Sequence, residues 1–175
     1  GRHEHPTQGL LDLLTLRQAW GTVAGRTVAI VGDIAGSRVA RSNLHALTTM
    51  GANVTLVGPP VMVPGSFASI TRGPGAVTIT HDFDAVLDVA DAVMMLRVQF
   101  ERGSDVTSDY RDGYGLTESR LQRLRPEVVV LHPGPVNRGL EMDDAAVDDR
   151  HRSRILRQVT NGVAVRMAVL AALVR

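Results

Sequence analysis

The sequence predicts an α/β domain built on a five-stranded, doubly wound parallel sheet with helices on both faces. Two observations carry this. Short apolar, β-branched runs recur at Thr27-Val28-Ala29-Ile30-Val31, Asn53-Val54-Thr55-Leu56-Val57, Val77-Thr78-Ile79-Thr80, Ala92-Val93-Met94-Met95-Leu96 and Val128-Val129-Val130-Leu131. Runs that are apolar on both faces belong to buried parallel strands. Segments of helical period separate them, and that alternation makes a parallel sheet covered on both sides. The 175 residues suit one domain with a real core.

The first helix is predicted from Pro6 to Trp20 and stops at Gly21. Pro6 suits a first helical position, where its missing N–H costs nothing, and Leu10, Leu13, Leu14 and Arg17 keep helical spacing. His5 is then the N-cap, with Gln8 on the first turn. Both could face a small polar group resting on the positive helix end, or could simply cap the backbone. Gly32 to Gly36 turns the chain after the first strand, and Ser37 to Met50 reads as a helix closed by Gly51. The Gly-, Pro- and Ser-rich stretch to Gly75 has room for a short helix. Another short helix is expected through Phe83 to Val89, and a long functional loop from Val98 to Tyr114. Thr117 caps a helix through Leu124. Ser153 to Val174 forms a long amphipathic helix interrupted at Asn161-Gly162.

Right-handed crossovers give this Rossmann-like sheet the order 3-2-1-4-5, which reverses between strands one and four. Ligands of such sheets bind beyond the carboxyl ends of the strands at that point. Arg38 follows strand one, Arg97 and Gln99 follow strand four, and His132-Pro133-Gly134-Pro135 follows strand five. A cation at a helix start opposes the dipole, which makes Arg38 a ligand-binding candidate. Arg97 and Gln99 alternate along extended chain and share a side, with Glu101 placed to steady the Arg97 guanidinium. The Pro-Gly-Pro turn leaves carbonyl oxygens unpaired by any strand, and His132 is expected to support that turn. The pairs Asp143-Asp144 and Asp148-Asp149 read as solvated charge. His45, His81 and His151 show no metal-ligand spacing.

Four motifs occur in order along the chain: His5-Pro6-Thr7-Gln8, Gly32 through Ser42, Leu96 through Arg102, and Leu131-His132-Pro133-Gly134-Pro135. Together they resemble the aspartate-binding half of the aspartate carbamoyltransferases, over nearly the whole chain. The resemblance implies attack of the L-aspartate amine on carbamoyl phosphate, giving N-carbamoyl-L-aspartate and phosphate in pyrimidine synthesis. It implies no cofactor and no metal. His5 would stabilise the carbonyl oxygen, a contribution of about 3 kcal/mol. Gln8 and the Pro133 and Gly134 carbonyls would orient the NH2 group, while Arg38 grips the α-carboxylate and Arg97 and Gln99 the side-chain carboxylate. Arg166 matches a family residue near the site. The family's amino-terminal carbamoyl-phosphate domain, with its Ser-Thr-Arg-Thr segment, has no counterpart here. The resemblance therefore implies a fragment inactive alone, taken from a homotrimeric enzyme, with helices at both ends that cross between domains. The apolar stripe Ile155, Leu156, Val159, Val163, Met167, Leu170 and Leu173 would then lack a partner. Self-association, local disorder or a displaced helix is the expected result.

Three alternatives have distinct signatures. A dinucleotide-binding domain needs G-x-G-x-x-G and an acidic residue after strand two, and neither is present. Ornithine carbamoyltransferases carry Ser-Met-Gly and His-Cys-Leu-Pro where this chain has Arg97-Val98-Gln99 and His132-Pro133-Gly134-Pro135. A non-catalytic binding domain of the same fold is the third. Composition narrows the field further. The net charge of +1 marks no nucleic-acid binder, and there is no Cys for disulfides or thiolate chemistry. All 19 basic residues are Arg, which suits planar carboxylate recognition. No apolar run spans a bilayer and no signal peptide opens the chain, so a cytoplasmic location is expected.

Overall fold

The computed structural model describes residues 3–70, 73–98 and 109–174. Five strands, β1 (Thr27–Val31), β2 (Asn53–Val57), β3 (Val77–Thr80), β4 (Ala92–Met95) and β5 (Val129–Leu131), form one sheet in the order β3-β2-β1-β4-β5. Every neighbouring pair is parallel. Among the described residues, six helices accompany them: α1 (Pro6–Trp20), α2 (Arg38–Thr49), α3 (Tyr110–Tyr114), α4 (Glu118–Arg123), α5 (Asp144–Val147) and α6 (Ile155–Leu173). The predicted sheet order and strand positions are those observed.

Alternate strand residues feed two apolar layers, as the pleat requires. Val28, Ile30, Leu56, Met94 and Leu131 pack against Leu16 of α1 and Leu44 and Leu47 of α2. Ala29, Val31, Val93, Met95 and Val130 pack against Phe83, Leu87, Leu121 and Leu124 on the opposite face. Helix starts follow the side-chain chemistry. His5 Nδ1 accepts the Gln8 N–H at 3.3 Å, Ser37 Oγ the Ala40 N–H at 3.1 Å, and Thr117 Oγ1 the Arg120 N–H at 3.3 Å. The Ser37 and Thr117 hydroxyls satisfy donors that the first helical turn leaves open, while the Gln8 N–H is shared between the His5 ring and the His5 carbonyl at 2.9 Å.

Four expectations are corrected. First, α6 runs unbroken through Asn161 and Gly162. These two residues form its contact with α1. Asn161 Nδ2 donates to Thr15 Oγ1 at 2.8 Å and to Gln18 Oε1 at 2.9 Å. A Cβ on Gly162 would lie 3.3 Å from Leu11. Second, helix through 83–89 shrinks to a 3₁₀ turn at Asp84–Val86, and another 3₁₀ turn occupies Gly65–Ser69. Third, the stretch read as loop to Tyr114 ends in the helical turn α3. Arg120 secures that turn, donating to the carbonyls of Asp112 at 2.7 Å and Gly115 at 2.8 Å, while its guanidinium lies 5.2 Å from the Phe83 ring centre. Fourth, of the acidic pairs read as solvated charge, Asp143 and Asp149 are partly buried and engaged, while Asp144 and Asp148 are exposed as expected. Asp143 takes a two-pronged contact from Arg111 at 2.8 to 3.1 Å. Asp144 and Asp148 both bind Arg138, and Asp149 accepts from the His151 and Arg152 N–H groups.

A polar knot joins α1, α2 and α6 within this framework. Asp12, fully buried, accepts Gln8 Nε2–H at 2.9 Å and Gln158 Nε2–H at 2.7 Å on one oxygen, and Asn43 Nδ2–H at 2.8 Å on the other. Burial pushes its carboxyl up to about 6, and the three amide donors oppose that rise. The outer face of α6 is apolar and exposed at Leu156, Val159, Val163, Met167, Leu170 and Leu173. The helix nevertheless lies in place on α1.

Two outcomes are expected. A folded-state carboxyl raised from about 4 to about 6 binds its proton more tightly than the unfolded chain does. The stability it confers is therefore complete below pH ~4 and is lost as pH rises through ~6, by about 3 kcal/mol. Urea unfolding of wild type relative to Asp12→Asn should show that decline between pH 4 and pH 7, and a rise would contradict the assignment. The exposed stripe should make the 175-residue chain associate with increasing concentration. Sedimentation velocity should show this association weakened by Val163→Glu with Met167→Glu.

Candidate active-site crevice

The carboxyl ends of β1, β4 and β5 open into one cavity of about 310 Å³, lined among others by His5, Gln8, Arg38, Arg97, Pro133 and Gly134. Six of the residues singled out from sequence therefore meet in one place, at the point where the strand order reverses. Arg166 lines an adjoining cavity of about 220 Å³ with Gln8, His132, Pro133 and Gly134. Gln99 and Glu101 lie outside the described residues.

Each lining group has a local cause. His5 begins α1, and its own N–H donates to Ser42 Oγ at 2.9 Å, while that hydroxyl donates to Glu4 Oε2 at 2.5 Å. Helix α2 thereby fixes the start of α1. The helices also approach closely, because a Cβ on Gly9 would sit 3.0 Å from the Ser42 carbonyl oxygen. Arg38 opens α2 after a turn in which Asp33 Oδ1 accepts the Gly36 N–H at 2.8 Å. A Cβ at Gly36 would meet Asp33 Oδ2 at 2.3 Å, so a larger residue there would have to displace the carboxylate that holds the turn. Arg41 closes over the same loop, donating to the carbonyls of Ala35 and His3 at 2.9 Å each.

His132, fully buried, supports the turn after β5 as expected, since its Nδ1 accepts the Gly134 N–H at 2.9 Å. Gln158 Oε1 accepts the His132 N–H at 3.0 Å, which ties the turn to α6 and so to Asp12.

The electrostatics favour an anion. Arg38 and Arg97 line the cavity, and Arg166 lines the adjoining one. Burial first, then the charges of Arg38 and Arg166, hold the His5 imidazole below its ordinary range. A neutral ring whose Nδ1 accepts the Gln8 N–H carries its proton on Nε2. The crevice thus combines guanidinium groups, one neutral N–H donor and the residues of a Pro-Gly turn. That set can bind a carboxylate and stabilise charge developing on a carbonyl oxygen.

Sequence reasoning missed the inner residues that hold these groups: Asp12, Ser42, Asn43, Asn137, Glu141 and Gln158. A signal existed for Asp12 and Glu141, each a carboxylate set between apolar neighbours, in Leu11-Asp12-Leu13 and Leu140-Glu141-Met142. The described residues include no group of three or more His, Cys, Asp or Glu side chains able to hold a metal ion, and no helix long and apolar enough to cross a membrane.

Comparison with known proteins agrees with this geometry. Residues 24–173 match the family model for the aspartate/ornithine carbamoyltransferase Asp/Orn binding domain. The aspartate carbamoyltransferase catalytic subunit of Rhizorhabdus wittichii is 55% identical over all of this chain and 55% of its own length. That of Myxococcus xanthus is 51% identical, over 97% of this chain and 57% of its own. The chain therefore spans a little over half the length of these relatives. Among solved structures, aspartate transcarbamoylase from Trypanosoma cruzi in complex with carbamoyl aspartate and phosphate superposes with a TM-score of 0.81. It is 30% identical, with 97% of this chain and 56% of that one covered. Ornithine carbamoyltransferase from Thermus thermophilus gives a TM-score of 0.84 at 31% identity, covering 99% and 57%. By sequence and by fold, this chain belongs to the aspartate/ornithine carbamoyltransferase family and represents its amino-acid-binding domain.

Proposed function

We propose that this chain is the aspartate-binding portion of an aspartate carbamoyltransferase acting in pyrimidine synthesis in the cytoplasm. The observation that carries the reading is the meeting of His5, Arg38, Arg97 and the Pro133-Gly134 turn in one crevice. Relatives about half identical and named for aspartate favour aspartate over ornithine, and so do two guanidinium groups where a dicarboxylate would rest.

In the proposed reaction the aspartate amine attacks the carbonyl carbon of carbamoyl phosphate. A C–N bond forms, the C–O bond to phosphate breaks, and the amine releases a proton. Arg38 holds the α-carboxylate, while Arg97, with Gln99, holds the side-chain carboxylate; Glu101 steadies Arg97. His5 Nε2–H donates to the carbonyl oxygen as charge builds there. Gln8 is fixed by its amide donation to Asp12, which leaves its carbonyl oxygen to accept from the carbamoyl NH2. The carbonyls of Pro133 and Gly134 accept from that NH2 and from the attacking amine. Arg166, beside the turn, supports the site with positive potential. Positioning two anions for attack on the face of the carbonyl supplies much of the remaining rate enhancement.

The phosphate site belongs, in this reading, to an amino-terminal carbamoyl-phosphate domain within the length of relatives that this chain does not span. The intact enzyme is a homotrimer, and α1 and α6 cross between its domains. The 175-residue chain alone is accordingly inactive.

Three results test the reading. The intact enzyme should carbamoylate aspartate and not ornithine, and Arg97→Ala should raise KM for aspartate at least 100-fold in a coupled phosphate-release assay. Turnover with ornithine alone would overturn the substrate assignment, and inactivity with both would favour a binding domain. His5→Asn keeps an N-cap acceptor but loses the Nε2 donor, so kcat should fall by about 10²-fold or more with little change in the unfolding midpoint. Because the imidazole is held below its ordinary value, the fall in kcat caused by its protonation should appear only below pH ~6.5. A limb at higher pH would contradict the neutral-donor role.

A further inference from the structure

Glu141 is the one fully buried carboxylate besides Asp12 among the described residues, and no step above uses it. Its surroundings join the two halves of the crevice. Oε1 accepts the Val98 N–H at 2.7 Å and Asn137 Nδ2–H at 2.7 Å, and Oε2 accepts the Asn137 N–H at 2.7 Å. Val98 directly follows Arg97. On the other side, Oε2 lies 3.6 Å from His132 Nε2. His132 Nδ1 accepts the Gly134 N–H, and its Nε2 faces the carboxylate from just beyond hydrogen-bond distance. Asn137 reinforces the bridge, since its Nδ2–H also reaches the Val98 carbonyl at 3.3 Å. A buried carboxylate without donors would be costly, and this one has three N–H groups on it.

We propose that Glu141 is a positioning residue that holds Arg97 and the Pro133-Gly134 turn at a fixed separation. Through Val98 it sets the backbone from which Arg97 projects. Through His132 and Asn137 it sets the turn whose carbonyls face the reacting group. The inference rests on the carbamoyl-transfer reading and extends it. Carboxylate binding and chemistry are coupled through one side chain that touches neither substrate.

Glu141→Gln places an NH2 against N–H donors that the carboxylate had accepted, with almost no change in volume. In the intact enzyme, two quantities read the two arms separately. Affinity for succinate, an unreactive dicarboxylate, measured by calorimetry, reads the Arg97 arm. Turnover at saturating aspartate and carbamoyl phosphate reads the turn. Glu141→Gln should weaken succinate at least tenfold and lower kcat at least tenfold. Glu141→Asp, which keeps the charge but shortens the reach by one methylene, should move both in the same direction by less. Leu121→Ala, a cavity in the opposite apolar layer, should destabilise the fold and leave both quantities within twofold. If Glu141→Gln does not fold, Glu141→Asp decides. A folded Glu141 variant with both quantities unchanged, or with only one of them altered, would overturn the coupling. A wild-type enzyme without carbamoyl transfer would overturn the underlying reading and the inference with it.

Discussion

One buried carboxylate sets the relation between the helices and the sheet. Asp12 receives amide donors from α1, α2 and α6, and Gln158 passes the connection on to the backbone of His132 at the end of β5. Helices packed only through Leu and Val could slide by fractions of an ångström at small cost. Directional bonds to one interior oxygen pair do not allow that freedom, because each bond lost leaves a polar group stranded away from water. The register of α1 determines where His5 and Gln8 stand, and the end of β5 determines where the Pro133-Gly134 turn stands. Both are referred to the same acid.

A second interior carboxylate, Glu141, mirrors this on the far side of the crevice, where it gathers Val98, Asn137 and the edge of His132. The cationic crevice is thus braced by two buried acids. This arrangement buries both carboxyl groups behind the lining of the crevice, where Arg38 and Arg97 stand.

Much of the fold was legible in the sequence because its signals are local or follow from chain geometry. The β-branched runs, the caps at His5 and Thr117, and the glycine stops need no tertiary information, and right-handed crossovers then leave few sheet orders open. Asn161-Gly162 misled for a definite reason. An Asn-Gly pair breaks an isolated helix, but here Gly162 admits Leu11 and Asn161 finds Thr15 and Gln18 on a neighbouring helix. Contacts across 146 residues outweigh propensity. Acidic residues 143 and 149 misled likewise, because charge along a sequence does not reveal which Arg lies across from it. The lining of the crevice was legible from strand-end positions. The residues behind it were not, since a buried polar network has no periodic signature.

The imidazole of His5 divides two tasks between opposite edges of one ring. One nitrogen closes the first turn of α1, and the other looks into the crevice. An incoming proton would have to displace the cap bond and would set a cation on the positive end of a helix. The two bonds of the Gln8 N–H share the load: a proton taken up at Nδ1 would remove the side-chain acceptor, while the bond to the His5 carbonyl at 2.9 Å would keep the first turn of α1 closed.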